Sequence, residues 1–189
     1  MDLVSNSDFR EVSGIKSDKL IKMAMRAMKL DILNEIYSKL HTKTELEFLT
    51  QLIKEFNIQL DFNDQELSYI PKQGGFMTVS NHPYGSWDGI ILLYLIKLIR
   101  PEYKLMANFL LSKVMPISGS VIPVNPFSDV KEVSSFGGLK RTIGYLGKEV
   151  PVGFFPAGEV SAFDPKIRRI ADKMWNPGII RLIKKAEQP

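Results

Sequence analysis

Residues 76–100 read FMTVSNHPYGSWDGIILLYLIKLIR. A short apolar run, FMTVS, ends in a polar loop, and apolar residues resume from about Trp87, the pattern of a buried strand feeding a helix. The pattern recurs downstream: KLMAN (104–108) precedes a short helix, SVIPV (120–124) precedes a helix after Ser128, and VGFF (152–155) follows. Short apolar strands separated by helices predict an α/β fold, with a mostly parallel sheet flanked by helices.

Upstream, the chain to about residue 70 reads as helical. Ser17 is placed to cap KLIKMAMRAMKLDILNEIYSKL (19–40), and Thr44 with Glu47 has capping-box spacing ahead of FLTQLIKEF (48–56). Lys19, Lys22, Arg26 and Lys29 recur every three or four residues and share one helix face, with Leu20, Met23, Ala24 and Ala27 towards another. The expected organisation is an N-terminal helical arm, residues 1–70, packed on an α/β core, residues 71–189. A last helix is expected from Asn176, with Pro177 in its first turn, through GIIRLIKKA. In an α/β unit such a helix feeds a further parallel strand, so the core is expected to be incomplete at its C-terminus.

Composition narrows the chemistry. At 189 residues the chain suits one domain with a real core, and 44% apolar against 24% charged residues excludes disorder. Cysteine is absent, which removes disulfides, thiolate nucleophiles, iron–sulfur clusters and sulfur-ligated zinc. With only His41 and His82 a histidine-rich metal site is not expected. The longest apolar run, Ile90 to Ile99, is half of the roughly 20 residues that span a bilayer, and it contains Lys97. The opening MDLVSNSDFR lacks the basic and then apolar regions of a signal peptide. The expected location is cytoplasmic, resting peripherally on a membrane. A net charge of +4 and a pI of about 9.2 favour an anionic partner. Nucleic acid is not the expected one, because aromatic residues are not interleaved with the charges of the basic helix.

Ser80 to Gly89, SNHPYGSWDG, falls where a strand ends and a helix begins, the place where open α/β sheets bind ligands. His82 there can remove a proton from a hydroxyl, with Asp88 about one turn away to orient the imidazole and stabilise the imidazolium. On spacing alone the plainer reading is a loop histidine that caps a helix or bonds a carbonyl. The segment FFPAGEVS (154–161) also follows an apolar strand and can bring Glu159 to the same sheet edge. Its plainer reading is a turn made by Pro156 and Gly158 with Glu159 solvated. In GSVIPVNPF (119–127) Asn125 can offer its amide to a ligand, or the segment is an edge strand leaving into a turn.

The three segments, in this order, resemble the glycerolphosphate and lysophospholipid acyltransferase family. SNHPYGSWDG is similar to its histidine–aspartate motif, GSVIPVN to its acceptor-binding second motif, and FPAGEVS to its third, FPEGTRS-like motif. The resemblance covers residues 71 to 189 and is greatest to the hemolysin-like branch, which also acylates lyso forms of amino-acid lipids. It implies transfer of a fatty acyl group from a thioester, acyl-CoA or acyl carrier protein, to the hydroxyl of a lysolipid. No bound cofactor or metal is implied. His82 would be general base and Asp88 its partner, with Asn81, Gly85, Asn125, Pro156, Gly158, Glu159 and Ser161 in the substrate site. The basic helix would then contact an anionic membrane through Lys19, Lys22, Arg26 and Lys29, while Met23, Met25 and Met28 meet the acyl boundary.

Three departures from the family pattern carry information. Five residues, Pro83 to Trp87, separate His82 from Asp88 where the family has four, and Gly85 can absorb the extra one. The second motif commonly ends in an Arg that grips the acceptor phosphate, and Asn125 stands there. In the third motif Ala157, Glu159 and Val160 replace Glu, Thr and Arg. Neither Asn nor Val replaces a bidentate guanidinium, so the expected acceptor has a less anionic head group than lysophosphatidic acid, with Glu159 facing its polar part. The fourth motif, a Pro in an apolar strand, would follow the last helix. The alternative reading is a non-catalytic, hemolysin-like module that binds lipid surfaces. A hydrolase using His82 is less well supported, because no GxSxG elbow is present.

Overall fold

The structure is a computed structural model, and it describes residues 2–124 and 135–178. The chain divides into two compact units, Met1–Ile58 and Gln59–Pro189. The division falls after Ile58 rather than near residue 70, so the short helix α5 (Asp64–Leu67) groups with the second unit.

The first unit is made of four helices: α1 (Asn6–Ser13), α2 (Asp18–Ala27), α3 (Leu30–Leu40) and α4 (Glu45–Glu55). Helix α1 is additional to the expected elements. A capping box starts it, in which the Asp8 N–H donates to Ser5 Oγ and the Ser5 N–H donates to Asp8 Oδ2. The box expected at Thr44 and Glu47 starts α4. Ser17 is the N-cap of α2, but its side chain makes no capping bond.

The single helix expected over 19–40 is two helices. Lys29 adopts a left-handed conformation, φ 55°, between them. A continuous helix of that length would run roughly 33 Å with its apolar stripe unpaired, whereas the break lets α2 and α3 pack on one another. The stripe that becomes buried is Ile21 and Met25, one turn apart, and not the Leu20, Met23 and Ala27 side, where all three residues are exposed. Met25 is therefore unavailable to a membrane, while Met23 and Met28 are exposed. Lys19, Lys22 and Arg26 do share an exposed face, and Lys29, also exposed, lies at the break and outside the helix.

The second unit is the α/β fold that the sequence predicts. Strands β1 (Met77–Val79), β2 (Lys104–Asn108), β3 (Val121–Val124) and β4 (Val152–Phe154) form one all-parallel sheet in the order β1-β4-β2-β3. Each coincides with an expected strand. The connections are α6 (Ser86–Lys97), a 3₁₀ segment (Phe109–Lys113) with α7 (Met115–Ser118), and α8 (Ser135–Leu146). The start expected for the last of these, after Ser128, and the helix expected through GIIRLIKKA lie largely outside the described residues. An antiparallel pair that the sequence reading lacks, β5 (Ala162–Asp164) and β6 (Arg169–Ala171), follows β4.

Burial explains the strand order. Val152 and Phe154 of β4 and Leu105 of β2 are almost fully buried, as central strands between helical layers must be. Met106, Ile122, Val152 and Phe154 form a cluster with Leu146 of α8. Pro123 cannot donate to a ladder and sits on β3, the edge strand. Gly153 admits the Tyr103 phenol, which is 2.6 Å from Thr78 Oγ1 on β1, and a Cβ there would collide with Tyr103 Oη. Gly89 likewise brings α6 close to β2, since a Cβ on it would lie 3.1 Å from Leu105 Cδ2. Among the described residues no helix is long and apolar enough to cross a membrane.

Candidate active site

β1 and β4 are neighbours and parallel, with Val79 opposite Phe154. Both therefore deliver their following loops to the same edge of the sheet, and residues 80–89 and 155–161 meet there. The Ser161 N–H donates to the His82 carbonyl at 3.0 Å, which ties one loop to the other.

His82 and Asp88 are within hydrogen-bonding distance, Nδ1 to Oδ2 3.1 Å, with side chains 18% and 12% exposed. Asp88 lies in the first turn of α6, and its Oδ2 also accepts from the Tyr84 N–H at 2.8 Å. With Nδ1–H donated to the carboxylate, the Nε2 lone pair is left as the basic site. The loop reaches this geometry through Gly85, whose φ of 63° and ψ of −126° suit glycine alone. That bend turns the loop so that Asp88 returns to His82. A Cβ on Gly85 would meet Val160 Cγ2 at 3.5 Å, so Val160 packs against this bend.

Phe155, which the sequence reading did not single out, stacks on the imidazole with ring centroids 4.2 Å apart and planes inclined by 19°. The signal for it was its position, the residue directly after β4.

Beside His82 lies an open groove of about 360 Å³, lined by Asn81, Pro83, Ser161, Arg169, Ile170, Ala171 and Asp172. Asn81 and Ser161 thus line one groove. The Ser161 hydroxyl donates to Asp172 Oδ1. Pro156 is buried and its carbonyl accepts from the Asn176 N–H, and Gly158, φ 70°, closes a turn by donating to the Phe155 carbonyl. Glu159 is exposed, 3.8 Å from Lys173, and does not line the groove. Asn125 lies outside the described residues. Strand β3, which ends at Val124, is three positions from β1, roughly 14 Å across the sheet.

Arg169 and Asp172 of the groove were not anticipated. The Asp164-Pro165 pair between two short runs was the available signal, because Asp-Pro initiates turns.

No protein-family model matches this chain, and no curated protein matches its sequence. The likeness to the acyltransferases therefore rests on the three sequence motifs alone.

Chemically, the arrangement supplies an imidazole within hydrogen-bonding distance of a carboxylate, an aromatic ring stacked on that imidazole, and a groove offering one cation and one anion. Among the described residues no serine hydroxyl is hydrogen-bonded to the His82 ring.

Proposed function

We propose that the protein is an acyltransferase, moving a fatty acyl group from acyl-CoA or acyl carrier protein to the hydroxyl of a lysophospholipid or lyso amino-acid lipid. The observation that carries this reading is the His82–Asp88 pair at a sheet edge shared with the 155–161 loop.

In the proposed reaction His82 Nε2 takes the acceptor hydroxyl proton as its oxygen attacks the thioester carbonyl. The tetrahedral intermediate collapses by breaking the carbon–sulfur bond. The leaving thiolate takes the proton back from the imidazolium, giving an ester and a free thiol. Asp88 stays ionised and holds the tautomer. No acyl-enzyme is required, and no cofactor beyond the thioester substrate.

Arg169 and Asp172 line one groove and suit a head group carrying both a carboxylate and an ammonium. That favours a lyso amino-acid lipid over lysophosphatidic acid, and it moves the acceptor-facing carboxylate from Glu159 to Asp172. The protein would work peripherally at the cytoplasmic face of an anionic membrane, with Lys19, Lys22, Arg26 and Lys29 among the head groups.

The test is transfer from a labelled acyl thioester to a panel of lysolipids by wild type and His82→Ala. Transfer that disappears in the variant, with lyso-ornithine or lyso-glycine lipid preferred, is expected. Faster acylation of lysophosphatidic acid would refute the acceptor assignment. Wild-type binding to vesicles without transfer to any lysolipid would favour the non-catalytic lipid-binding module.

A further inference from the structure

The β5–β6 hairpin begins directly after Ser161, the residue bonded to the His82 carbonyl. Its register pairs Phe163 with Ile170, Asp164 with Arg169 and Ala162 with Ala171. Side chains alternate across a strand, and directly opposed partners share a face. Phe163 and Ile170 therefore stand together on one face, with Ala162, Asp164, Arg169 and Ala171 on the other. That other face forms part of the groove wall through Arg169 and Ala171, and Ile170 of the first face borders the groove as well.

The Phe163 and Ile170 side is uncovered. Phe163 is 64% exposed and Ile170 69%, with Ile167 in the turn and Met174 and Trp175 after β6 exposed as well. Lys166, Arg168, Arg169 and Lys173 are interleaved with them, four cations against the carboxylates of Asp164, Asp172 and Glu159, the last 3.8 Å from Lys173. Among the described residues no ion pair engages Lys166, Arg168 or Arg169. An apolar patch rimmed by charge marks an interaction surface. Aliphatic and aromatic tips surrounded by cations match a lipid interface, where the tips enter the acyl boundary and the cations remain among phosphates. The hydrated head-group layer also satisfies the unpaired edges of a two-stranded hairpin, which the hydrocarbon core would not.

We propose that the β5–β6 hairpin is the α/β unit's own membrane-docking element, its Phe163, Ile167 and Ile170 entering the interface of an anionic bilayer. This rests on the lipid-surface reading above and adds where the bilayer meets this unit. Because Ile170 also borders the groove, docking through this patch brings the groove's rim to the membrane surface.

The natural chain has no cysteine, so a single Phe163→Cys or Ile170→Cys substitution in the full chain can carry an environment-sensitive fluorophore. Lys148→Cys, at an exposed site elsewhere in the same unit, is the control. With vesicles of equal parts phosphatidylglycerol and phosphatidylcholine, the expected result is a blue shift at 163 and 170, quenched by brominated acyl chains, and neither change at 148. Reversing charge with Lys166→Glu and Arg168→Glu should weaken sedimentation with these vesicles by roughly tenfold. Sedimentation with the 163 and 170 probes still in water would overturn the hairpin's role and leave the lipid-surface reading standing. Absence of vesicle binding would overturn both, independently of the acyl-transfer assay. A blue shift without vesicles that grows with protein concentration would assign the patch to a second copy of the chain and so refute the proposal.

Discussion

Phe155 lies over the imidazole of His82, centroids 4.2 Å apart, although the two residues follow different strands. The stack fixes the ring plane, and the Asp88 bond fixes its rotation within that plane. Phe155→Ala should therefore lower kcat by ten- to a hundredfold with KM for the lysolipid little changed, the size of effect expected from a reacting group held loosely. Phe155→Tyr should restore most of the rate. A uniform rise in KM would indicate a role in binding instead.

Asp88→Asn preserves shape and removes charge. Asp88 Oδ2 meets both the Tyr84 N–H and His82 Nδ1, so the asparagine oxygen in that place keeps both bonds, and what is lost is the negative charge that stabilises the imidazolium. The expected loss in kcat is on the order of a hundred- to ten-thousandfold. Unchanged circular dichroism would show that the fold persists, and near-wild-type turnover would remove the dyad from the mechanism.

Gly85→Ala tests the bend. The added Cβ meets Val160 only at ordinary contact distance, 3.5 Å, so the penalty comes from φ 63° and ψ −126° and not from collision. A cost of about 1–3 kcal/mol is expected in urea denaturation, together with loss of activity as the His82 loop relaxes.

Tyr103 provides a pH signature. Burial pushes its phenol well above the ordinary value of 10.0, and the Thr78 hydrogen bond offsets this only in part. The unfolded phenol ionises first, so this contribution to stability is complete below about pH 10 and is lost as pH rises towards the folded-state value. Denaturation midpoints measured at about pH 8 and about pH 11 should therefore fall more steeply for wild type than for Tyr103→Phe. Equal slopes would exclude the effect.

Arg100 is 4% exposed and donates to the carbonyls of Pro71, Gly74 and Glu149 while pairing with Glu102 at 2.7 Å. Arg100→Met fills the space but leaves those acceptors without a donor. A loss of about 3–5 kcal/mol is expected in denaturant titration, and a change below about 1 kcal/mol would show that water replaces the guanidinium.

Local sequence determined the elements of the sheet. The four apolar runs are short and bounded by polar residues, so each coincides with a strand, and the Thr44–Glu47 spacing coincides with a capping box. The His82–Asp88 pair was legible for the same reason, since six positions across a glycine-bearing loop is a local distance. Where the outcome depended on a neighbour, sequence patterning misled or was silent. Periodicity made residues 19–40 one helix, but packing of α2 on α3 required the break at Lys29 and selected Ile21 and Met25 for burial. Patterning also left open whether the two motif loops meet, because strand order is not written in any strand.

Tertiary structure decided that β4 lies beside β1. From this follow the Phe155 stack, the Ser161 bond to His82, and a groove whose Arg169 and Asp172 belong to a hairpin that no periodicity indicated. The physical reason is that helices, caps and turns are stabilised by contacts within a few residues, whereas the order of parallel strands is set by which long-range burial costs least when every connection is closed.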